Sequence, residues 1–285
     1  MQSLTIPDFL DRYSREIRFS HKSHYSVVSV LNTFRENAPA KPVAELSGSD
    51  MHGYVQKRLE VGIQPTTVNR ELSVLSAAFN HARRKWGVQM ANPTRHLRLR
   101  MPALRVRYLE RCQADALLRE AYELRADLGD FVRLALNTGC RKNELLTLRW
   151  SDVNLERGYI LLRPENTKAN RRRVIPINRG ADQALRGRLI GNDSEWVFAN
   201  RFGERIKALD WLFRKAVRAA GIEDFRIHDL RHTFASWLVT EGVELIKVRD
   251  LLGHTSIKMT ERYAHLMPNR LHDAVRVLDM FGAVG

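Results

Sequence analysis

Residues 227–238 read "IHDLRHTFASWL". The stretch reads as a helix, and it brings His228, Arg231 and His232 together. Four residues separate the two histidines, which puts them on one helical face. That is the spacing of the two zinc histidines in the H-E-x-x-H protease signature, with Asp229 standing where the glutamate would be. A zinc hydrolase needs neutral imidazoles and a third ligand. Here Arg231 sets a permanent cation beside the pair. An anionic phosphate asks for the reverse of a metal pocket: several cations converging on one group. The rest of the chain must decide between the two.

Charge supplies the first answer. The 285 residues carry 47 Lys and Arg against 32 Asp and Glu, a net charge of +15. Residues 1–100 hold 15 against 8 and the remainder 32 against 24, so the excess lies in both halves. Such a balance favours a polyanion, bound through phosphate contacts and counterion release. A hydrophobic fraction of 44% suits a soluble globular protein. No apolar run spans a bilayer, and no leader-like segment opens the chain, so no membrane partner is expected. Two cysteines, Cys112 and Cys140, indicate no disulfide framework and fit a reducing cytoplasm.

The periodicity divides the chain into three parts. Residues 1–93 read as a small helical bundle. Its first stripe is Ile6, Phe9, Leu10, Tyr13 and Ile17; a second is Tyr25, Val28, Leu31 and Phe34; a third is Met51, Val55 and Leu59. The clearest helix is "TTVNRELSVLSAAFNHARRKW", with Thr66 or Thr67 as its expected cap. Residues 94–107 are a basic, extended linker after Asn92-Pro93. Residues 108–285 form a mixed domain, mainly helical with short strand candidates in "GYILL", "RRRVIPI" and "EWVFAN". Helices are expected over "ADALLREAYEL", "LGDFVRLALNTG", "ALDWLFRKAVRAAG", "HDLRHTFASWLVTEG", "LIKVRDLLGH", "IKMTERYAHL" and "PNRLHDAVRVLDMF". The fold class is therefore mainly α, with a small antiparallel sheet in the C-terminal domain.

The cations sit at separated places. Arg141 opens a helix after a glycine break, where backbone N–H groups also favour an anion. Glu144, one turn on, can hold its guanidinium. Lys168 lies on a turn between two strand candidates, followed by the basic run Arg171 to Arg173. "LLGHTSIKMTERYAH" adds His254 and, nine residues later, Tyr263. Lys142 and the neighbouring arginines are alternatives to Lys168. His232 reads as a packing or bonding residue beside the site. Cys140 reads as a small packing residue.

In this order the pieces resemble the tyrosine recombinase, or phage integrase, family. The matching residues are Arg141 in "TGCRKNELL", Lys168 on its turn, His228 and Arg231 in "HDLRHT", His254 in "LLGHTS" and Tyr263 in "ERYAH". Each motif is weak alone; the ordered set of six is strong. The resemblance extends over the whole chain, because "TTVNRELSVLSAAFNHARRKWGVQMANP" is similar to the family's helical core-binding domain. It implies a mixed α+β catalytic domain, and strand cleavage and rejoining without metal or ATP. Tyr263 would form a 3′-phosphotyrosyl link, and Arg141 and Arg231 would clamp the phosphate oxygens. Lys168 would protonate the leaving 5′-oxygen, His228 would exchange the tyrosine proton, and His254 would hydrogen-bond the phosphate. Glu144 would support Arg141.

Expected DNA contacts are Arg70, Arg95, Arg98, Arg100, Arg105, Arg107, Arg171 and Arg172. The implied partners are double-stranded core sites, three further protomers in a tetramer on synapsed DNA, and accessory DNA-bending or directionality proteins. The implied location is cytoplasmic, at the nucleoid. With its first helical stripe at Ile6, the chain is expected to be of the simple type without an arm-binding domain. Leu271, Ala274, Val275, Leu278 and Phe281 form a tail stripe expected to dock on a neighbouring protomer. The rival readings are a type IB topoisomerase, a zinc hydrolase and a non-catalytic DNA-binding protein.

Overall fold

The computed structural model describes residues 4–18, 24–101, 106–164 and 171–268, together with Val275, Arg276 and Leu278. It divides into two compact units, Met1–Ala103 and Leu104–Gly285.

Four helices build the first unit: α1 (Ile6–Ile17), α2 (His24–Asn37), α3 (Gly48–Glu60) and α4 (Pro65–Lys85). Thr5 caps α1 through Asp8, and Ser47 and Asp50 close a reciprocal capping box on α3. The cap expected for α4 at Thr66 or Thr67 is not used. The helix starts at Pro65, whose fixed φ and missing N–H suit a first turn, after Gln64. The core joins Phe9, Leu10, Phe34, Met51, Leu75 and Phe79, with the Phe9 and Phe79 rings stacked at 5.2 Å.

Tyr25 is a correction: it is 89% exposed, while α2 buries Val30, Leu31 and Phe34. At 100° per residue, a stripe spaced only by threes slips back about 60° at each step, so three steps carry Tyr25 to the side opposite Phe34.

Residues 94–101 do not run free of the first unit. Both amide ends of the buried Asn69 on α4 bond the backbone of Leu99, at 2.9 Å each. Leu97 and Leu99 pack on the core, and the alternation leaves Arg95, Arg98 and Arg100 exposed.

The second unit begins with α5 (Arg111–Leu124), α6 (Ala126–Thr138) and the short α7 (Lys142–Leu146). Three strands follow, β1 (Val153–Asn154), β2 (Tyr159–Leu162) and β3 (Arg173–Pro176). They pair antiparallel in the order β1-β2-β3, with Ile160 opposite both Val153 and Ile175. Then come α8 (Arg179–Leu189), α9 (Asp210–Ala219), α10 (Ile227–Thr240) and α11 (Leu245–Leu252).

Three differences from expectation have local causes. "EWVFAN" makes only isolated bridges, Arg149 with Trp196 and Ala199 with Arg205. Side chains of Asn192 and Ser194 bond the Trp196 backbone and hold it in turns instead. α8 is not among the expected helices, and Gly180 and Gly187 stand within it. They are close-approach positions: a Cβ at Gly180 would lie 2.6 Å from the Asn137 side chain on α6. "IKMTERYAHL" forms two 3-10 turns, Ile257–Met259 and Glu261–Leu266, rather than an α-helix. Tight i to i+3 spacing turns Thr260 and Tyr263 to the same side, and both are buried. Of the tail stripe, Val275 and Leu278 are exposed; Leu271, Ala274 and Phe281 lie outside the described residues.

Candidate active site

α6 ends at Gly139 in the left-handed conformation, and the chain turns at once into α7. Arg141 occupies the cap position. Glu144 accepts from the Arg141 backbone N–H at 2.8 Å and from its Nη1 at 2.7 Å. The Glu144 carboxylate is 2% exposed. Burial alone would raise its pKa, but the Arg173 and Arg141 guanidinium groups overcome that and hold it below the usual range.

Arg231 projects from α10 into the same region and is 3% exposed. Its Nη1 donates to the Gly139 carbonyl at 2.8 Å and its Nη2 to the Leu252 carbonyl at 2.6 Å. No carboxylate bonds it among the described residues. Burial first, and Arg141 second, pull its pKa down to about 9. His254 follows the left-handed Gly253 that closes α11. Its Nδ1 meets Thr260 Oγ1 at 2.8 Å. Burial, then Arg231 and Arg141, lower its pKa to about 3, so the ring is neutral at physiological pH.

The two histidines of the opening stretch stand one helical turn apart, their rings 5.2 Å apart and perpendicular. Their partner is a tyrosine. His232 Nδ1 lies 2.6 Å from Tyr263 Oη, and among the described residues no group of three or more His, Cys, Asp and Glu could hold a metal ion. Burial raises the Tyr263 pKa to about 12, against the pull of Arg231 and Arg262. Burial, then His228, lower His232 to about 4. A neutral phenol and a neutral imidazole therefore share this hydrogen bond, and the phenol donates when the ring proton sits on Nε2. His228 keeps more of its surface open; partial desolvation and Arg231 move its pKa down.

Beside this cluster lies a cavity of about 170 Å³, lined by Arg141, Arg171, Arg172, Arg173, Asp250, Gly253, His254 and Thr255. Four arginines and one aspartate, Asp250, supply the charged part of its lining.

Arg141, Arg231 and His254 thus converge, and His228 adjoins Tyr263 through His232. Lys168 and Arg105 lie outside the described residues. Lys142, the alternative to Lys168, pairs with Asp210 at 3.0 Å. Arg70, Arg171 and Arg172 are exposed, whereas Arg107 is half-buried and donates to its neighbour's carbonyl. Cys140 is buried among apolar residues, as expected of a packing residue.

Arg173 and Thr260 are additions to the expected site, and His232 takes a more direct part in it. Arg173 is almost buried and bonds both Glu144 and Leu252. Its signal was available, since the two-residue period of β3 puts it on the same face as the buried Ile175. His232, expected to pack or bond beside the site, does bond there and is the imidazole that touches the hydroxyl. Thr260 carried no readable signal, because its place depends on the 3-10 turns.

A family model described as the phage integrase family matches residues 107–270, and its N-terminal domain model matches residues 7–100. The chain belongs to the phage integrase family. It is 34% identical to the integrase of Salmonella phage P22 over 226 residues, 74% of this chain and 57% of that protein. It is 36% identical to the integrase of Haemophilus phage HP1 over 272 residues, 86% of this chain and 72% of that one. The chain therefore spans little more than half the length of the P22 relative. In fold it is similar to the Tn1549 transposon integrase in complex with circular intermediate DNA. That match has a TM-score of 0.80 at 19% identity, covering 98% of this chain and 100% of that one. It is also similar to a lambda integrase tetramer bound to a Holliday junction. There the TM-score is 0.79 at 21% identity, covering 95% and 79%. Among the described residues, no helix of this family member is long and apolar enough to cross a membrane.

Proposed function

We propose that this protein is a site-specific DNA recombinase that cuts and rejoins strands through Tyr263. One observation carries the reading. A buried tyrosine hydroxyl bonds an imidazole of the helix that also supplies Arg231, beside an arginine-lined cavity. Such an arrangement suits attack on an anionic phosphodiester.

In the proposed reaction Tyr263 Oη bonds to phosphorus and the bond to the 5′-oxygen breaks. The product is a 3′-phosphotyrosyl link and a free 5′-hydroxyl. Arg141 and Arg231 balance the charge on the non-bridging oxygens. His254, with Nδ1 engaged by Thr260, offers Nε2 to the phosphate. The tyrosine proton passes to imidazole, with His232 the immediate acceptor in the resting arrangement and His228 adjoining it. Lys168 gives a proton to the departing 5′-oxygen. A 5′-hydroxyl from the partner duplex reverses these steps. The ester bond is conserved throughout, so no ATP is consumed. Tyr263 is 1% exposed, so the Glu261–Leu266 turn must shift before the phosphate can meet it. Arg70, Arg95, Arg98, Arg100, Arg105, Arg107, Arg171 and Arg172 add phosphate contacts. Four protomers assemble on two synapsed core sites.

The test is strand exchange between two duplexes with differently labelled arms, carrying a site recovered from DNA trapped on the protein. Recombinant joints should appear with the native protein and vanish with Tyr263→Phe, which should still bind DNA. Relaxation of supercoiled DNA with no joints would instead support the topoisomerase reading.

A further inference from the structure

We propose that Arg173 is a positioning residue for the phosphate clamp, setting Arg141 through Glu144 and His254 through the Leu252 carbonyl. This rests on the recombinase reading above.

Arg173 opens β3, and its side chain is 9% exposed. Its Nη2 donates to Glu144 Oε2 at 2.9 Å, while the other carboxylate oxygen holds Arg141 Nη1. One buried carboxylate is therefore shared between two arginines, both of which line the cavity. Arg173 Nη1 donates to the Leu252 carbonyl at 2.6 Å, and Arg231 Nη2 donates to the same oxygen at 2.6 Å. Two guanidinium groups crowding one carbonyl repel each other. They stay because the far end of each fork is tied, Arg173 to Glu144 and Arg231 to the Gly139 carbonyl. Arg141, Glu144, Arg173, the Leu252 carbonyl and Arg231 form one continuous chain of charge-assisted bonds.

The next residue explains how β3 reaches α11. Gly253 has φ +62°, and a Cβ there would lie 2.2 Å from Arg173 Nη1. Glycine both permits the turn and leaves room for the guanidinium. His254 follows directly. The fork of Arg173 thus fixes the carbonyl and the turn that aim His254, and the carboxylate that aims Arg141. A planar fork can span both acceptors; an ammonium cannot.

The experiment uses the full chain and a nicked duplex carrying the recovered site. It reads the single-turnover rate of covalent adduct formation, DNA affinity and thermal midpoint. A wild-type adduct establishes the strand cleavage that the recombinase reading requires, and the strand-exchange test above decides the rest; absence of the adduct would refute that reading. Given the adduct, Arg173→Met should slow cleavage roughly 10²-fold, the scale of a misplaced catalytic group. DNA affinity should hardly change. A second duplex carries a methylphosphonate at the scissile position, which leaves no negative charge for the clamp to balance. On it the loss should shrink below about tenfold. Arg173→Lys, the fallback should the Met variant fail to fold, should lose about tenfold on phosphate and less on methylphosphonate. Equal losses on the two substrates, a loss that merely tracks the folded fraction, or no loss in either variant would each overturn the proposal.

Discussion

Among the described residues each unit of this protein buries one glutamate, and the two are used in opposite ways. In the N-terminal unit Glu71 accepts from Tyr54 Oη at 2.7 Å and from Arg58 at 3.1 and 2.8 Å. One carboxylate meets one guanidinium, and the charges close on themselves. In the C-terminal unit Glu144 is shared by Arg141 and Arg173, while Arg231 is held by carbonyls alone. Three arginines stand there around one carboxylate that only two of them touch. A folded protein has no structural need to bury that surplus, and the depressed pKa of Arg231 shows that burial works against its charge. The surplus suits the anionic phosphate of the proposed reaction. The first ion pair serves a core, whereas the second cluster is poised for a ligand.

The largest expected effect separates these two uses. Arg231→Met should slow adduct formation by roughly 10³-fold or more, as when a group stabilising transition-state charge is removed. Stability should change by less than about 1.5 kcal/mol, because a well-packed apolar replacement relieves the desolvation of the charge. Single-turnover cleavage and urea unfolding read the two quantities. A collapse in stability with cleavage of the folded fraction intact would erase the contrast.

Arg58→Met should show the reverse. Leaving Glu71 buried without its partner should cost about 3 kcal/mol of stability. Cleavage per folded molecule should stay within error of wild type. Calorimetry together with active-site titration by adduct yield checks both halves.

Much of this contrast was legible in the chain itself. The four helices of the first unit could be placed by spacing, and Arg141, His228, Arg231, His254 and Tyr263 could be named as candidates through the ordered motifs that carry the family resemblance. The partnership of Glu144 with Arg141 followed from helical neighbourhood. What could not be read depends on contacts between distant segments. Arg173 meets Glu144 and Leu252 only after a strand, a turn and a helix have docked. His232 meets Tyr263 only because residues 257–266 wind as 3-10 turns rather than as an α-helix. Gly180 and Gly187 of α8 lie against Asn137 and Asp130 of α6, which are far away in sequence.

A smaller effect is expected from pH. His232 and His254 have folded pKa values of about 4 and about 3, below the ordinary 6.5. Their contribution to stability is complete above pH 6.5. It falls as pH drops toward the folded values, because the unfolded chain binds protons first. Urea midpoints should therefore decline from pH 7 to pH 4.5. His254→Asn should flatten part of that decline, and an unchanged profile would contradict the burial of the ring.

The smallest effect concerns the exposed arginines of the first unit. Arg70→Ala should weaken DNA binding by about 1 kcal/mol and reduce the slope of log affinity against log salt by about one. Fluorescence anisotropy at several salt concentrations measures the slope. An unchanged slope would remove Arg70 from the phosphate contacts, while leaving the buried cluster of the second unit untouched.

The most direct measurement identifies the residue that becomes joined to DNA. The protein is mixed with a nicked duplex, trimmed with nuclease, digested with protease and analysed by mass spectrometry. The account predicts one modified peptide, carrying a nucleotide through its 3′-phosphate on Tyr263, and no such peptide from the Tyr263→Phe variant. A nucleotide on another residue, or a link through the 5′-phosphate, would contradict it.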